Sequence, residues 1–505
     1  MPPGDAVLQR VGDLDMKTRS TPGRQRSGRS ALFGTVLNTS VQVMVVRFDT
    51  GRGGVPALVQ AGSGEERTLG QAATYRQVLA VREYRYLFGA YVLSLVGDQL
   101  TAVAVAFVIY STTGSAVLAA AAFASSYLAW LVGGPVLSGL ADRFPRRRVM
   151  VVCDLGRAAV VPLLALPVLP PAVVVALAFA VNLLRPPFVA ARAALMPELL
   201  DGDRYPVANG LDNIAAQVAQ VGGFAVGGVL VTLLSPPGAL LVDAGTFVLS
   251  AVLVLRGVSP SPAPAPRSRA ADERFAAVRV VLTDRALRAY LLLLWVASAF
   301  ACAAEGLASP LAAQYGGGPA MVGLLLACGP LGMAVGGIAV TRFCPPDVRA
   351  RLVPSLAVFS VVVLVAVGTA PPPPVLMGLL VLSGIGTAFA VPLNAMFGRA
   401  VPAAYRGRAF GVAITGLAGL QGLGMLVAGA VAEVWRATTV IGATGLLGTA
   451  AVVAVLLWWP TTTVPPRPAG VLRRRSRSAS DVLRRVDGEQ VRTLANAPDP
   501  SDRSR

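Results

Sequence analysis

Asp98, Arg185, Asp243 and Glu305 are ionisable residues that stand inside long apolar stretches of this chain. A charge at the centre of a membrane helix costs about 2.5–3.5 kcal/mol on insertion scales, so each needs a partner or a task. Asp98 and Glu305 are the candidates for proton coupling, because a carboxyl moved out of water holds its proton more tightly and a neighbouring guanidinium opposes that shift. Arg185 is the cation that would modulate Asp98. Two readings of Asp98 stay open: a carboxyl that titrates during function, and a permanent contact with an arginine or with backbone that fixes helix packing. Glu305 has proton coupling or recognition of a cation as its chemistry. The chain contains no histidine, so a proton relay must use carboxylates, and zinc sites, Ser-His-Asp triads and histidine-ligated haem are excluded. Cys153, Cys302, Cys328 and Cys344 show no CxxC spacing and read as buried free thiols. Neither a metal nor a cofactor is expected, and no enzymatic reaction.

The elements that carry these residues must be helices in a bilayer. Of 505 residues 54% are hydrophobic and 14% charged, where a soluble protein carries roughly 25% charged. Twelve apolar stretches follow one another near 86–110, 117–141, 149–170, 172–195, 207–234, 238–255, 289–313, 320–341, 352–370, 374–397, 408–432 and 437–459. Each is ~18 to 28 residues, enough for a tilted helix to cross ~30 Å of hydrocarbon and far too long for a barrel strand. They are called spans 1 to 12.

The formal charge of +18 is placed by the connections. Alternate loops, 142–148, 192–206, 256–288, 342–351 and 398–408, together carry 19 arginines, and the opposite set carries only Arg436. By the positive-inside rule the arginine-rich side is cytoplasmic and both termini lie there. The charge therefore reports orientation, and nucleic acid is not an expected partner. Residues 1–75 read as a disordered extension or as a mis-assigned start, and 460–505 as a disordered basic cytoplasmic tail. The connection 256–288 opens on alternating Ser/Ala and Pro and separates a six-helix half, 76–255, from a second, 289–459.

The halves echo each other at an offset of about 200 residues: Gly139-Leu-Ala-Asp-Arg-Phe144 after span 2 matches Ile338-Ala-Val-Thr-Arg-Phe343 after span 8, and Pro197 matches Pro402. Two parallel six-helix repeats place a substrate site between them. Gly139-Leu-Ala-Asp-Arg-Phe-Pro-Arg-Arg-Arg148 resembles the loop 2–3 signature of the major facilitator superfamily. Within it, Gly97-Asp-Gln99, Asp154-Leu-Gly-Arg157, Ala208-Asn-Gly-Leu211, Asp243-Ala-Gly-Thr-Phe247 and Arg406-Gly-Arg-Ala-Phe-Gly411 resemble the drug:H+ antiporter branch that includes macrolide and enterobactin exporters. The resemblance covers roughly 76–459. It implies an all-α membrane protein with twelve transmembrane helices in the major facilitator fold, in the cytoplasmic membrane of a bacterium, exporting a small amphiphilic molecule by alternating access with proton antiport, as a monomer. An importer or facilitator on the same fold, or a receptor or scaffold without transport, are the alternatives.

The resemblance also implies roles. Gly139, Asp142, Arg143, Arg146 and Arg147 would latch the halves in one state, Gly139 by allowing close helix approach and Asp142 by accepting from arginines and a facing helix N-terminus. A purely topogenic arginine cluster is the plainer reading. Thr341 replaces the acid in the second half, so the latch is expected on one side only. Asp154 and Arg157, three apart, should pair on one face of span 3. Arg192, Asp243, Arg406 and Arg408 fall at gating or interface positions. Gly222-Gly-Phe-Ala-Val-Gly-Gly228 in span 5 resembles the antiporter signature with Phe224 where proline is usual, and Gly223, Gly227 and Gly228 read as a close-packing face. Tyr91, Phe107, Tyr127, Trp130, Asn182, Gln217, Gln220, Trp295, Gln314, Asn394 and Gln421 are the polar and aromatic side chains from which a pocket could be built.

Overall fold

The computed structural model describes residues 74–137, 139–260, 279, 281–402 and 405–459, and every regular element among them is a helix. The expected extension before Thr74, most of the 256–288 connection and the basic tail lie outside the described residues. Ten helical stretches are long and apolar enough to cross a bilayer. One of these, Arg204–Gly257, is 54 residues long and is two helices joined at Ser235, whose φ of 61° breaks the spiral just before Pro236 and Pro237. It holds spans 5 and 6. A further pass, Arg146–Val160 continued by the 3-10 turn Val161–Ala165, is span 3. Its arginines and Asp154 make it the most polar of the passes, yet its 20 residues rise ~30 Å. The twelve expected passes are thus present, with span 3 beginning three residues early.

Three passes are interrupted where an unbroken helix was expected. Span 4 is Pro171–Leu183 followed by Arg185–Leu199, span 7 is Arg285–Ala301, Ala303–Gly306 and Ala308–Gln314, and span 10 is Pro373–Thr387 followed by Ala390–Ala400. The breaks in spans 4 and 10 and the second of the two in span 7 lie just before a proline whose missing N–H leaves a carbonyl four residues earlier without its donor: Pro187 and Leu183, Pro392 and Ala388, Pro310 and Gly306. Spans 4 and 10 hold equivalent places in the two repeats and break at equivalent points. Arg185 consequently opens the second helical segment of span 4.

The remaining passes are Arg82–Thr113 (span 1), Ala116–Leu137 (span 2), Pro319–Phe343 (span 8), Pro346–Val365 with the turn Ala366–Thr369 (span 9), Arg406–Val431 (span 11) and Ala437–Leu457 (span 12). The buried side chains form three clusters whose membership shows how the halves meet. One cluster draws on both halves, including Phe123, Phe224, Leu307, Leu326 and Met425. The second contains only first-half residues, among them Tyr84, Met150, Phe188 and Leu195. A third contains only second-half residues, among them Leu287, Phe389, Phe397 and Val401. The two separate clusters lie toward the arginine-rich end and the shared one toward the other end. The halves are therefore fused at one end of the bundle and parted at the arginine-rich end.

Candidate functional site

In the first half, Arg157 is fully buried and organises a charge network. Its guanidinium lies 3.3 Å from Asp98 and 3.3 Å from Asp154, donates to Ser94 Oγ at 2.9 Å, and stacks over the rings of Phe188 and Phe247 at 5.1 and 4.8 Å. Arg185 reaches the other oxygen of Asp98 at 3.1 Å, so that carboxylate is held by two cations from spans 3 and 4. Asp154 also accepts from Ser250 of span 6 at 2.6 Å. The expected Asp154–Arg157 pair is formed, but as part of a network that takes in Asp98, and not as a separate support. The low local dielectric strengthens such pairs and makes any unpaired member costly, which ties spans 1, 3, 4 and 6 into one rigid body.

Asp243 is fully buried beside this network. Thr101 and Thr246 donate to it, and no arginine lies within ion-pair distance among the described residues. A Cβ on Gly97 would collide with the Asp243 carboxylate, so the glycine of Gly97-Asp-Gln99 makes the space that Asp243 fills. Arg192 pairs with Asp212 of span 5 at 2.6 Å and lies 3.9 Å above the Tyr91 ring, and the Tyr84 hydroxyl donates to the same Asp212 oxygen at 3.1 Å. Sequence reasoning missed Asp212. Its signal was available, an acid inside an otherwise apolar helix one residue after Ala208-Asn-Gly-Leu211.

Between the halves lies a cavity of ≈ 930 Å³, within the size range of drug-sized ligand sites. It runs from Tyr127, Cys302 and Glu305 at its inner end to Arg349, Arg399 and Arg406 toward the arginine-rich end, and its walls are largely second-half residues of spans 7, 8, 10 and 11. Glu305 is the only acid lining it among the described residues, and neither Asp98 nor Arg185 lines it. Of the sequence candidates for a pocket, Tyr127, Gln220, Asn394 and Gln421 line the cavity. Asn182, Trp295 and Gln314 are instead tied to Ser125, Ala413 and Thr438 within the helix packing.

Glu305 occupies the four-residue segment of span 7 between the breaks at Cys302 and Leu307. Its Oε2 accepts from the Tyr127 hydroxyl of the first half at 2.8 Å. Oε1 accepts no hydrogen bond from a described residue and lies beside Gly329, where an added Cβ would sit 3.5 Å away. The amide of Gln421 donates to Cys302 Sγ at 2.9 Å on the same wall.

The closed end is made by small residues and one carboxylate. A Cβ on Gly228 would lie 2.7 Å from the Pro319 carbonyl and 3.0 Å from Gly323 Cα, so spans 5 and 8 cross here nearly backbone to backbone. Gly223 and Gly227 meet Gln99 and Leu100 of span 1 inside their own half, and Phe224 stacks on Phe123, with ring centroids 6.1 Å apart. Gly429 of span 11 likewise abuts Ala116, Val117 and Ala120 of span 2. Beyond it Glu433 accepts from Ser115 Oγ at 2.6 Å and from the Val117 N–H at 2.8 Å, capping the first turn of span 2 from the other half. These contacts hold its carboxyl below the ordinary value of 4.5. Glu433 was not among the sequence candidates, since nothing in its neighbourhood marks it.

At the open end the loop signature faces its own half. Arg146 donates to the Ala194 carbonyl at 3.1 Å and pairs with Glu198, while Arg147 donates to the Leu255 carbonyl. Arg143 is exposed, and the side chain of Asp142 lies outside the described residues. The close approach expected at Gly139 is not made: an added Cβ there meets no described atom within 4 Å. Arg406 lines the cavity, and Arg408 is exposed.

Two six-helix bundles around a cavity that is sealed at one end and open at the other are the architecture of a membrane transporter. The chain belongs to the Major Facilitator Superfamily, whose family model matches residues 87–353 and 294–492. No curated protein sequence matches it significantly. Among solved structures it resembles a POT family transporter in complex with a thioalcohol-conjugated peptide, at 12% identity over 74% of this chain and 96% of that one, with a TM-score of 0.58. It also resembles the nucleoside transporter NupG (14%, 74% and 98%, TM-score 0.58) and a bacterial homolog of the human lysosomal transporter Spinster in an inward-facing, unoccupied conformation (13%, 76% and 95%, TM-score 0.55). At such identities the likeness is one of fold.

Proposed function

We propose that this chain exports a small amphiphilic molecule across the cytoplasmic membrane of a bacterium in exchange for protons, as a monomer with both termini in the cytoplasm. The observation that carries the reading is the cavity between the halves, which opens at the arginine-rich end while Gly228, Gly323, Gly429 and Glu433 seal the other. With the arginine-rich end cytoplasmic by the positive-inside rule, this is an inward-facing state, from which an exported substrate would load and an imported one would leave. Transport then requires the sealed end to part and the open end to close. In the closed arrangement Asp142, Arg143, Arg146 and Arg147 turn from their own half to the facing one, with Arg192, Arg406 and Arg408 beside them.

Proton coupling falls on Glu305 ahead of Asp98. Glu305 lines the cavity with one oxygen that accepts no hydrogen bond from a described residue, whereas Asp98 is clamped by Arg157 and Arg185 away from the cavity wall. Such an ion-paired carboxylate serves as a strut of the first half. The test is substrate-driven proton flux in proteoliposomes over a compound panel, with Asp98→Asn and Glu305→Gln beside the wild type. Antiport that survives Asp98→Asn and fails in Glu305→Gln supports the assignment, and unchanged coupling in Glu305→Gln overturns it. Uptake in place of efflux would favour an importer, and no flux for any compound would favour a non-transporting scaffold.

A further inference from the structure

We infer that the arginine-rich mouth of the cavity is a binding site for the oxyanion head of an amphiphile, a phosphate or sulfonate whose apolar tail lies along the deeper wall. The inference rests on the transport reading and names the class of its cargo. Three arginines from three helices of the second half line the mouth: Arg349 of span 9, Arg399 of span 10 and Arg406 of span 11. No carboxylate among the described residues lies within ion-pair distance of any of them. Glu305, the acid on the cavity wall, is at the opposite end, and Asp347, in the first turn of span 9, is exposed and does not line the cavity.

Arg406 carries most of the argument. It opens span 11, where the helix dipole already presents positive charge and a cation is the unfavourable choice. The first turn there holds no acid, and Tyr405 at the N-cap gives its N–H groups no side-chain acceptor. The Nε of Arg406 is buried with no hydrogen-bond partner among the described residues, while the half-buried side chain meets the cavity, so no group of the protein answers this charge. An oxyanion entering the mouth neutralises the guanidinium and suits the dipole together. Arg349 is held ready for the same ligand. Its Nε and Nη2 donate to the Cys344 and Thr341 carbonyls at 2.8 and 2.7 Å, which fixes the side chain and leaves Nη1 without a described acceptor. A mouth lined with one sign of charge between apolar walls also concentrates the opposite charge from solution.

One face of span 11 supplies the tail site. The lining runs from Arg406 through Phe410, Ile414 and Leu417 to Gln421, a near four-residue repeat that keeps all five on the cavity side. Cation comes first and an apolar strip second. From Phe410 to Leu417 the helix rises about 10 Å, about the reach of an octyl chain. Met333 of span 8 adds to that strip.

The test is equilibrium binding to the purified full-length protein in phosphatidylcholine nanodiscs at pH 8, with empty discs as background. Octyl phosphate and octyltrimethylammonium are the probes, with the same tail and opposite heads. Wild type should bind the phosphate and not the ammonium. Arg399→Gln combined with Arg406→Gln should weaken octyl phosphate binding roughly tenfold or more while Tm stays within a few degrees of wild type. Arg351→Gln removes an exposed charge of span 9 that does not line the cavity, and should leave binding within about twofold. Native mass spectrometry of protein released from discs containing phosphatidylglycerol separates two sources of the head group. A phosphatidylglycerol adduct displaced by octyl phosphate makes the bilayer one source, and no adduct leaves the arginines to a diffusible amphiphile; either result upholds the oxyanion site. Equal binding of the two probes, undetectable octyl phosphate binding, or unchanged binding in the double variant would overturn the inference. If proteoliposomes export compounds while octyl phosphate does not bind, the transport reading survives and the anion assignment alone fails. Octyl phosphate binding with no flux for any compound would instead keep the anion site and remove the transport reading.

Discussion

Replacing Gly323 with alanine should push the molecule out of the conformation described here. An ideal Cβ at that position lies 2.8 Å from Gly228 Cα and 2.9 Å from Gly228 N, and it collides with the Phe224 carbonyl oxygen. All three are backbone atoms, so no rotamer change relieves the contact. Carbon atoms pack best at about 3.5–4.0 Å, so spans 5 and 8 must separate by roughly 1 Å at the sealed end. Overpacking of this kind costs about 1–3 kcal/mol. The cost falls only on states in which this end is closed, so the balance between closed and open should move by about 5- to 150-fold. In a cysteine-free background, spin-label pairs at Thr112 and Val434 report the sealed end and pairs at Arg143 and Arg342 the open end. Pulsed electron resonance should show the first distance lengthening and the second shortening in Gly323→Ala. Gly222→Ala, where an added Cβ meets nothing within 4 Å, is the matched control and should change neither. Unchanged distributions at both ends in a folded Gly323→Ala protein would refute the idea that backbone contact at this crossing sets the closed state.

Glu433→Gln should loosen the same end by less. The carboxylate is exposed, so solvent screening limits its two bonds to about 1 kcal/mol or less, and the Thr112–Val434 distance should broaden without full opening. Because the cap lowers the Glu433 pKa, its contribution is complete above the ordinary value of 4.5 and is lost as pH falls through the lowered value. The wild-type distance should therefore broaden on acidification while the glutamine variant stays level. Arg157→Met leaves Asp98 and Asp154 without their shared cation and should cost about 3–5 kcal/mol, read as a large fall in Tm. Adding Asp154→Asn should recover part of that loss, and a double variant no better than the single one would count against a shared network. Arg192→Ala should also lower Tm, since it strands the buried Asp212.

Much of this molecule was legible in the order of its residues. The twelve passes follow from apolar length, because an unpaired backbone in hydrocarbon leaves helices as the only continuous solution for runs of this size. The repeat follows from the echo of Gly139–Phe144 in Ile338–Phe343, and the sidedness of the charge from arginines confined to alternate loops. Even the breaks in spans 4 and 10 were written in Pro186-Pro187 and Pro392, although the unbroken apolar pattern around them concealed it. Sequence also marked Asp98, Arg185 and Glu305 as needing a reason to stand where they do.

Which reason applies was decided only by tertiary structure. Asp98 and Arg157 are 59 residues apart, and Tyr127 and Glu305 are 178 apart, on different helices and in the second case on different halves. Periodicity within one helix states which residues share its face and is silent about the face opposite. Packing placed Asp98 between two guanidiniums and left Glu305 on a cavity wall with one oxygen that accepts no hydrogen bond from a described residue, so two carboxylates at corresponding places in the repeats came to differ in chemistry. Closure at one end was equally a tertiary matter. It depends on Gly228 meeting Gly323 and on Glu433 reaching the start of span 2, contacts between segments that share no local pattern.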